Sequence, residues 1–268
     1  MRPTWTGDKV EVDEAVYTQR EIMTVVAARE IRDGEIVFCG TGISMLAAMA
    51  AKHISAPNSV IFFETGAIDS MLEEVPLAVA DPRVMFRTSS NGKLFDSFAT
   101  LENPTTGKHV VAVLGAAQID IYGNLNSTVI GDYDSPRVRF SGSGGACDAA
   151  CFAGRTIVFM QHEKKKFVAR LDYLTSPGWL DGPEGRRRAG LRPGGPSAVI
   201  TNLGIMRFDD ATRKMYLAGY YPGITPAQIL DNMEFQVDVS RAVEVLPPSS
   251  EELQILREKC DPQRLILD

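Results

Sequence analysis

The sequence predicts an α/β fold, an open and mostly parallel sheet with helices on both faces. Two observations carry this. Short runs that are apolar at every position recur along the chain, as in strands covered on both faces. Between them lie segments with helical spacing and helical caps, so that helix and strand take turns. Hydrophobic residues at 44% and charged residues at 23% of 268 place the chain among globular proteins and away from disordered ones.

The segment up to about Tyr17 is polar and has no clear period. Thr18-Gln19-Arg20-Glu21 reads as a capping box that opens a helix. Ile22, Val25 and Val26 follow on one face; Arg29 interrupts that stripe, so the buried face is short and drifts toward Ala28. Asp33-Gly34 supplies the stop, because glycine tolerates the left-handed conformation after a helix. Ile36-Val37-Phe38-Cys39 and Val60-Ile61-Phe62-Phe63 are buried-strand runs, with a helix expected over 43–53 between them. Further strands are expected over 110–114, 156–160 and 198–201. Met206-Arg207-Phe208 and Met215-Tyr216-Leu217 flank a polar stretch and predict a hairpin. Capping signals at Thr225 and Ser249 open two short helices near the C-terminus. No internal repeat is visible, and the chain reads as a single domain over 1–268. The Gly-, Pro- and Arg-rich stretch 176–196 is a domain boundary or, equally, a functional loop inside one domain.

Charge and cysteine usage narrow the classes. The 28 basic and 34 acidic residues leave a net charge of −6, against nucleic acid as the main partner. No apolar run approaches the roughly 20 residues of a membrane helix, and the N-terminus has no secretory pattern. Four cysteines in a chain of this length form no disulfide framework. A soluble cytoplasmic protein is expected.

Several motifs have a simpler meaning than their first impression. Gly40-Thr41-Gly42 follows a strand, but Met45 stands where a dinucleotide-binding fingerprint needs its third glycine. A tight strand-to-helix turn accounts for it better. His162-Glu163 lacks the second histidine of a zinc-protease motif, since Lys166 holds that position. Cys147 and Cys151 face each other one helical turn apart, yet no further thiols or histidines complete a ligand set, and no metal site is expected. The basic runs 164–166 and 186–188 could meet phosphates; a solvated face is their usual meaning. Trp179 is expected to anchor an irregular loop.

Three segments hold chemistry. Glu64-Thr65-Gly66 places a carboxylate at the carboxyl end of a strand, where open α/β sheets bind ligands, although an acidic cap on the next turn would look the same. Ser141-Gly142-Ser143-Gly144-Gly145-Ala146 can present unobstructed backbone N–H groups to an oxyanion, or be a glycine turn without a ligand. The stretch 115–127 gathers amides and a carboxylate that either fix a polar acyl substrate or hold their own turn together.

Together these segments resemble the β subunits of class I coenzyme A transferases, on the glutaconate branch. Phe63 to Gly66, the stretches 115–127 and 141–146, and Ile130-Gly131-Asp132-Tyr133 carry the resemblance. It continues through Met160-Gln161-His162-Glu163-Lys164, 172–182 and 215–222, and spans most of the chain. The resemblance implies the fold shared by coenzyme A transferases and sugar-phosphate isomerases. It implies Glu64 as covalent nucleophile, with Thr65 where the family usually has Ser or Asn. It gives Gly144, Gly145 and Ala146 the oxyanion and coenzyme-binding role, and places Gln118 and Asn124 in a substrate-binding loop. No permanently bound cofactor is implied; coenzyme A enters as a substrate. A homologous α subunit would complete the site, commonly in an (αβ)2 heterotetramer, and the acid would be short and glutaconate-like. Relatives of the family include ring-opening hydrolases of coenzyme A thioesters and decarboxylases of glutaconyl-type thioesters, in which the glutamate is replaced. The wider superfamily also includes non-catalytic ligand-sensing domains. Glu64 favours transfer over these.

Overall fold

The computed structural model describes residues 16–268, so the opening polar segment lies outside the described residues through position 15. Helix α1 (Gln19–Glu30) starts on the expected capping box. The Thr18 hydroxyl accepts from the Glu21 N–H at 3.2 Å, and the Glu21 carboxylate accepts from the Thr18 N–H at 2.8 Å. Its buried face is wider than the apolar stripe, taking in Met23, Thr24, Ala27 and Glu30 as well as Ile22, Val25 and Val26. Two further elements explain this: a second helix lies alongside, and Arg257 from the C-terminal segment pairs with the fully buried Glu21 at 2.6 Å. Burial alone would raise the Glu21 carboxyl; the Arg257 and Thr18 hydrogen bonds outweigh it and hold the group below the ordinary range. The helix ends at an extended Ile31, ahead of Gly34, which sits at φ +79° in the turn leading to the first strand.

Strand β1 (Ile36–Cys39), helix α2 (Ile43–Ile54) and strand β2 (Val60–Phe62) come next, then the short strands β3 (Ala67–Ile68) and β4 (Ser90–Asn91). Helices α3 (Leu94–Glu102) and α4 (Pro104–Gly107) lead into β5 (Val110–Gly115). Two small antiparallel pairs follow: β6 (Gln118–Ile119) with β7 (Leu125–Asn126), and β8 (Val129–Gly131) with β9 (Pro136–Arg139). Helix α5 (Ala146–Phe152) precedes β10 (Arg155–Phe159), and the one-turn helix α6 (Gly185–Arg188) precedes β11 (Pro196–Ile200). The expected hairpin is β12 (Gly204–Phe208) with β13 (Met215–Tyr220). Helix α7 (Pro226–Asp231), strand β14 (Val243–Glu244) and helix α8 (Ser250–Gln254) close the chain, the last continuing into a π-helical turn over Ile255–Cys260. Both C-terminal caps form as read, Thr225 with Gln228 and Ser249 with Glu252.

Ten strands make one sheet in the order β14-β13-β12-β11-β10-β5-β1-β2-β3-β4. The central five, β11 to β2, run parallel; at the flanks β12 and β3 run antiparallel to them, and β13, β14 and β4 run with them again. Successive side chains go to opposite faces. Val37, Ile61, Val111 and Ile157 share one core with α1 and α2. Phe38, Phe62, Ala112 and Val158 share the other with Leu101 of α3 and Ala149 of α5. Two-sided cover is why these strands read as unbroken apolar runs.

From β1 the chain moves to β2 on one side and then to β5 on the other, so the winding reverses between β1 and β5. A crevice opens at such a switch point, outside the carboxyl ends of the strands. The loops emerging there are 40–42, 63–66 and 116–117, which sets the place of the chemistry.

Candidate active site

Glu64 sits on a tight turn joining β2 to β3. The Phe63 N–H donates to Ala67 O at 3.0 Å and the Gly66 N–H to Phe63 O at 3.1 Å, leaving Glu64 and Thr65 at the tip. Gly66 adopts φ +100°, and a Cβ there would stand 2.2 Å from the Gly92 carbonyl oxygen. Only glycine closes this turn. The Gly92 N–H returns a bond to Gly66 O at 2.8 Å, and the Ser97 hydroxyl donates to Phe63 O at 2.8 Å. Strand β4 and helix α3 therefore clamp the turn from one side.

The half-buried Glu64 carboxylate faces the glycine block. Its Oε1 accepts from the Gly145 N–H at 3.0 Å. A Cβ on Gly145 would lie 2.4 Å from that oxygen and 2.7 Å from the Phe98 ring. The absent side chain is what lets carboxylate, amide and aromatic wall meet. Ser127 anchors the block from below: its hydroxyl donates to Gly142 O at 3.0 Å, and the Gly142 N–H donates to Ser127 O at 3.2 Å.

The three residues expected to act as oxyanion donors thus divide. Gly145 points at the carboxylate. Gly144 is exposed, at φ +50°, with open space where a side chain would stand. The Ala146 N–H is turned away, donating to Ser143 O at 3.0 Å as the chain winds into α5.

Gln118 and Asn124, expected in a substrate-binding loop, each bond to neighbouring loops. Both are buried, at 5% and 6% exposure. Gln118 donates to Asp172 Oδ2 at 3.0 Å and accepts from Asn126 Nδ2 at 2.7 Å. Asn124 donates to Asp120 and to Leu180 O, each at 2.8 Å, and accepts from the N–H groups of Gly178 and Leu180. These bonds occupy both ends of each amide, so the two side chains hold loop to loop. Burial raises the Asp120 carboxyl against the bonds from Asn124, Tyr122 and Gly123.

A cleft of about 650 Å³ opens beside this loop, lined by Gly115, Ala116, Ala117, Ser127, Ile130, Val138, Phe140, Ser141, Lys165 and Lys166. Lys165 and Lys166 pair with Glu163 at 2.8 and 3.1 Å on its rim. Lys164 and Lys165 are exposed, as in a solvated face, and Lys166 is half-buried. The second run divides: Arg187 and Arg188 are exposed and paired with Glu184 and Asp181, whereas Arg186 is 3% exposed and donates to the carbonyls of Arg192, Gly178 and Ala150, each at 3.0 Å. It tethers the stretch 176–196 to α5. Trp179 is the expected anchor, its indole N–H donating to Pro196 O at 3.0 Å and its ring covered by Arg213.

His162 is buried against Phe167, ring centroids 4.2 Å apart, with Nε2 at 3.0 Å from Ile229 O. Burial, opposed by that bond, moves its pKa down to about 4, so the imidazole is neutral. Among the described residues no group of three His, Cys, Asp or Glu side chains is arranged to hold a metal ion, and no helix is long and apolar enough to cross a membrane. Ser97 and Phe98 escape a reading of the sequence, since a serine and a phenylalanine on an ordinary helix carry no motif. Thr65 adds a buried Oγ1 without a hydrogen-bond partner, next to the carboxylate.

The sequence pattern of the family described as coenzyme A transferase matches residues 20–232. The B subunit of glutaconate CoA-transferase from Acidaminococcus fermentans is 44% identical over 254 residues, covering 93% of this chain and 95% of that one. The B subunit of 3-oxoadipate CoA-transferase from Pseudomonas knackmussii is 33% identical over 247 residues, covering 91% and 93%. The crystal structure of glutaconate coenzyme A-transferase from Acidaminococcus fermentans superposes with a TM-score of 0.90 at 42% identity, over 94% of this chain and 98% of that one.

Proposed function

The chain belongs to the coenzyme A transferase family, and from that premise we propose that it is the B-type subunit of an enzyme moving coenzyme A between carboxylic acids through Glu64. The observation that carries this reading is the approach of the Gly145 N–H to Glu64 Oε1 at 3.0 Å, at the carboxyl end of a parallel strand. It sets a carboxylate nucleophile beside a backbone donor on a turn that cannot relax.

The steps follow from carboxylate chemistry. Glu64 attacks the carbonyl carbon of the donor thioester; a C–O bond forms, the C–S bond breaks, and the coenzyme leaves as thiolate with a mixed anhydride on the enzyme. The thiolate then attacks the glutamyl carbonyl carbon and expels the donor acid, leaving coenzyme A joined to Glu64 as a thioester. An incoming carboxylate attacks that thioester, expels the thiolate and makes a second anhydride. The thiolate attacks the new acyl carbon, releases acyl-coenzyme A and restores Glu64. Each step passes through a tetrahedral oxyanion, and a preorganised N–H such as that of Gly145 lowers such a barrier by a few kcal/mol. The Phe98 wall keeps hydrocarbon against the carboxylate, which helps exclude water from the anhydride. Gly144 is a second donor in this mechanism, whereas Ala146, Gln118 and Asn124 act by shaping the loops.

The acid is proposed to be short and glutaconate-like, and a homologous partner subunit to complete the site in a heterotetramer. The identity to the glutaconate and 3-oxoadipate subunits supports both. Exchange assays on the chain combined with its partner subunit test the nucleophile: Glu64→Gln and Glu64→Ala lower transfer by about 10³-fold or more. Near-normal transfer by either folded variant overturns the assignment.

A further inference from the structure

We infer that the arginine-lined cavity at the amino ends of β10 and β11 is a second ligand site, which binds a compact polyanion bearing two or more carboxylate or phosphate groups. It stands apart from the transfer site and does not depend on that chemistry. Arg155 and Pro196 begin their strands, whereas Glu64 follows the carboxyl end of β2, so the length of a parallel strand, roughly 15 Å, lies between the two. The cavity has a volume of about 370 Å³ and lies where the end of α1 meets the sheet.

Five arginines line it, Arg29, Arg32, Arg155, Arg207 and Arg213, and the acids among the lining residues are Glu30 and Asp210. A guanidinium carries five N–H donors, so the question is which of them the fold has already used. Arg29 is committed: it grips Glu252 with two nitrogens and donates to the carbonyls of Leu246 and Pro247. Arg155 is committed too, to both oxygens of Glu35 at 2.8 and 2.6 Å, to Ser197 Oγ at 3.1 Å and to Glu30 O at 2.8 Å. The other three keep donors to spare. Arg207 gives one nitrogen to Glu30, and Arg213 gives one to Asp210 at 3.2 Å. Asp210 is 67% exposed on its side chain, so that pair is worth little in water and can be exchanged for a ligand. The exposed Arg32 has no side-chain partner among the described residues.

Three cations with unused donors therefore meet two acids, and the excess of positive charge suits an anion. Arg213 is also held in place for one. It sits in the β12–β13 turn at φ +58°, a conformation glycine takes without strain, and its guanidinium lies 4.3 Å over the Trp179 ring. The stack fixes the plane of the cation at the cavity wall. Trp179, Phe208 and Tyr216 add low-polarity surface, beside which charges attract more strongly than in open water. Planar forks in a small cavity select carboxylate or phosphate oxygens, which accept two parallel N–H bonds.

Calorimetric titration of the chain combined with its partner subunit, at physiological salt, tests this with two probes, citrate for the carboxylates and inorganic pyrophosphate for the phosphates. At least one binds saturably with a Kd below about 1 mM, and the probe that binds identifies the group recognised. Binding persists when coenzyme A is present in saturating amount, which separates this cavity from the transfer site. The Arg32→Gln, Arg213→Gln double variant weakens binding about tenfold or more, the size of a lost charge-assisted hydrogen bond, while its transfer activity and Tm stay near wild type. Arg207→Lys keeps a cation on Glu30 but removes the fork, and it weakens binding on the same scale. No saturable binding of either probe, displacement of the bound probe by coenzyme A, or wild-type affinity in either variant overturns the inference.

Discussion

A hydrogen atom in place of a side chain at position 145 decides where the Glu64 carboxylate rests. Any Cβ there would fall 2.4 Å from Oε1, so Gly145→Ala must push the carboxylate off its amide or move α5. The first outcome lowers kcat by about a hundredfold, the usual scale for disturbing one preorganised donor, while Tm changes little. Steady-state kinetics beside a melting curve check this; an unaltered kcat in the variant would remove Gly145 from the chemistry. The same residues show what can be read from sequence alone. Glu64 and the glycine block stand out in the sequence because their types are unusual at a strand end and a helix start, and the structure brings Glu64 and Gly145 together. The bonding partners of Gln118 and Asn124 are not legible in the sequence, because an amide in a polar loop gives no sign of which group it meets, here Asp172 and Asp120. Direction is a tertiary property. Arg186 makes the point in reverse: a run of three arginines reads as surface, and its first member is bound to buried carbonyls.

Elements were more legible than contacts. The strands β1, β2, β5, β10 and β11 stand within two residues of where their apolar runs place them, because two-sided burial writes itself into every position. The short pairs β6–β7 and β8–β9 carry too few residues to show a period, and their partners were invisible. The segment joining β10 to the later chain carries a consequence for pH. His162 is neutral inside the fold, with a pKa of about 4, against the ordinary 6.5 in the unfolded chain. The unfolded state therefore binds the extra proton, and stability is full above about pH 6.5 and lost as pH falls toward 4, by about 3 kcal/mol at the limit. Thermal melts between pH 7 and pH 5 should show a steeper fall in Tm for the wild type than for His162→Gln, which keeps a donor for Ile229 O without a titrating ring. Identical slopes would show that this imidazole does not govern acid stability.

At the scale of the whole molecule the architecture puts three loops from the carboxyl ends of neighbouring parallel strands around one switch point, and Glu64, the Gly145 amide and the cleft all lie there. The rest of the sheet and both helical layers fix those ends in register. Such a site is one-sided: Leu94 and Phe95, at the start of the helix that clamps the Glu64 turn, are 58% and 73% exposed. A mechanism that stores an anhydride needs more cover than this, which a second subunit would supply. The measurement that tests the central claim most directly is peptide mass after borohydride treatment of the complex of this chain and its partner during turnover of an acyl-coenzyme A. Covalent transfer through Glu64 predicts reduction of its carboxyl carbon to a primary alcohol, dependent on the thioester substrate; an unmodified Glu64 peptide from a complex that is exchanging coenzyme A would contradict it.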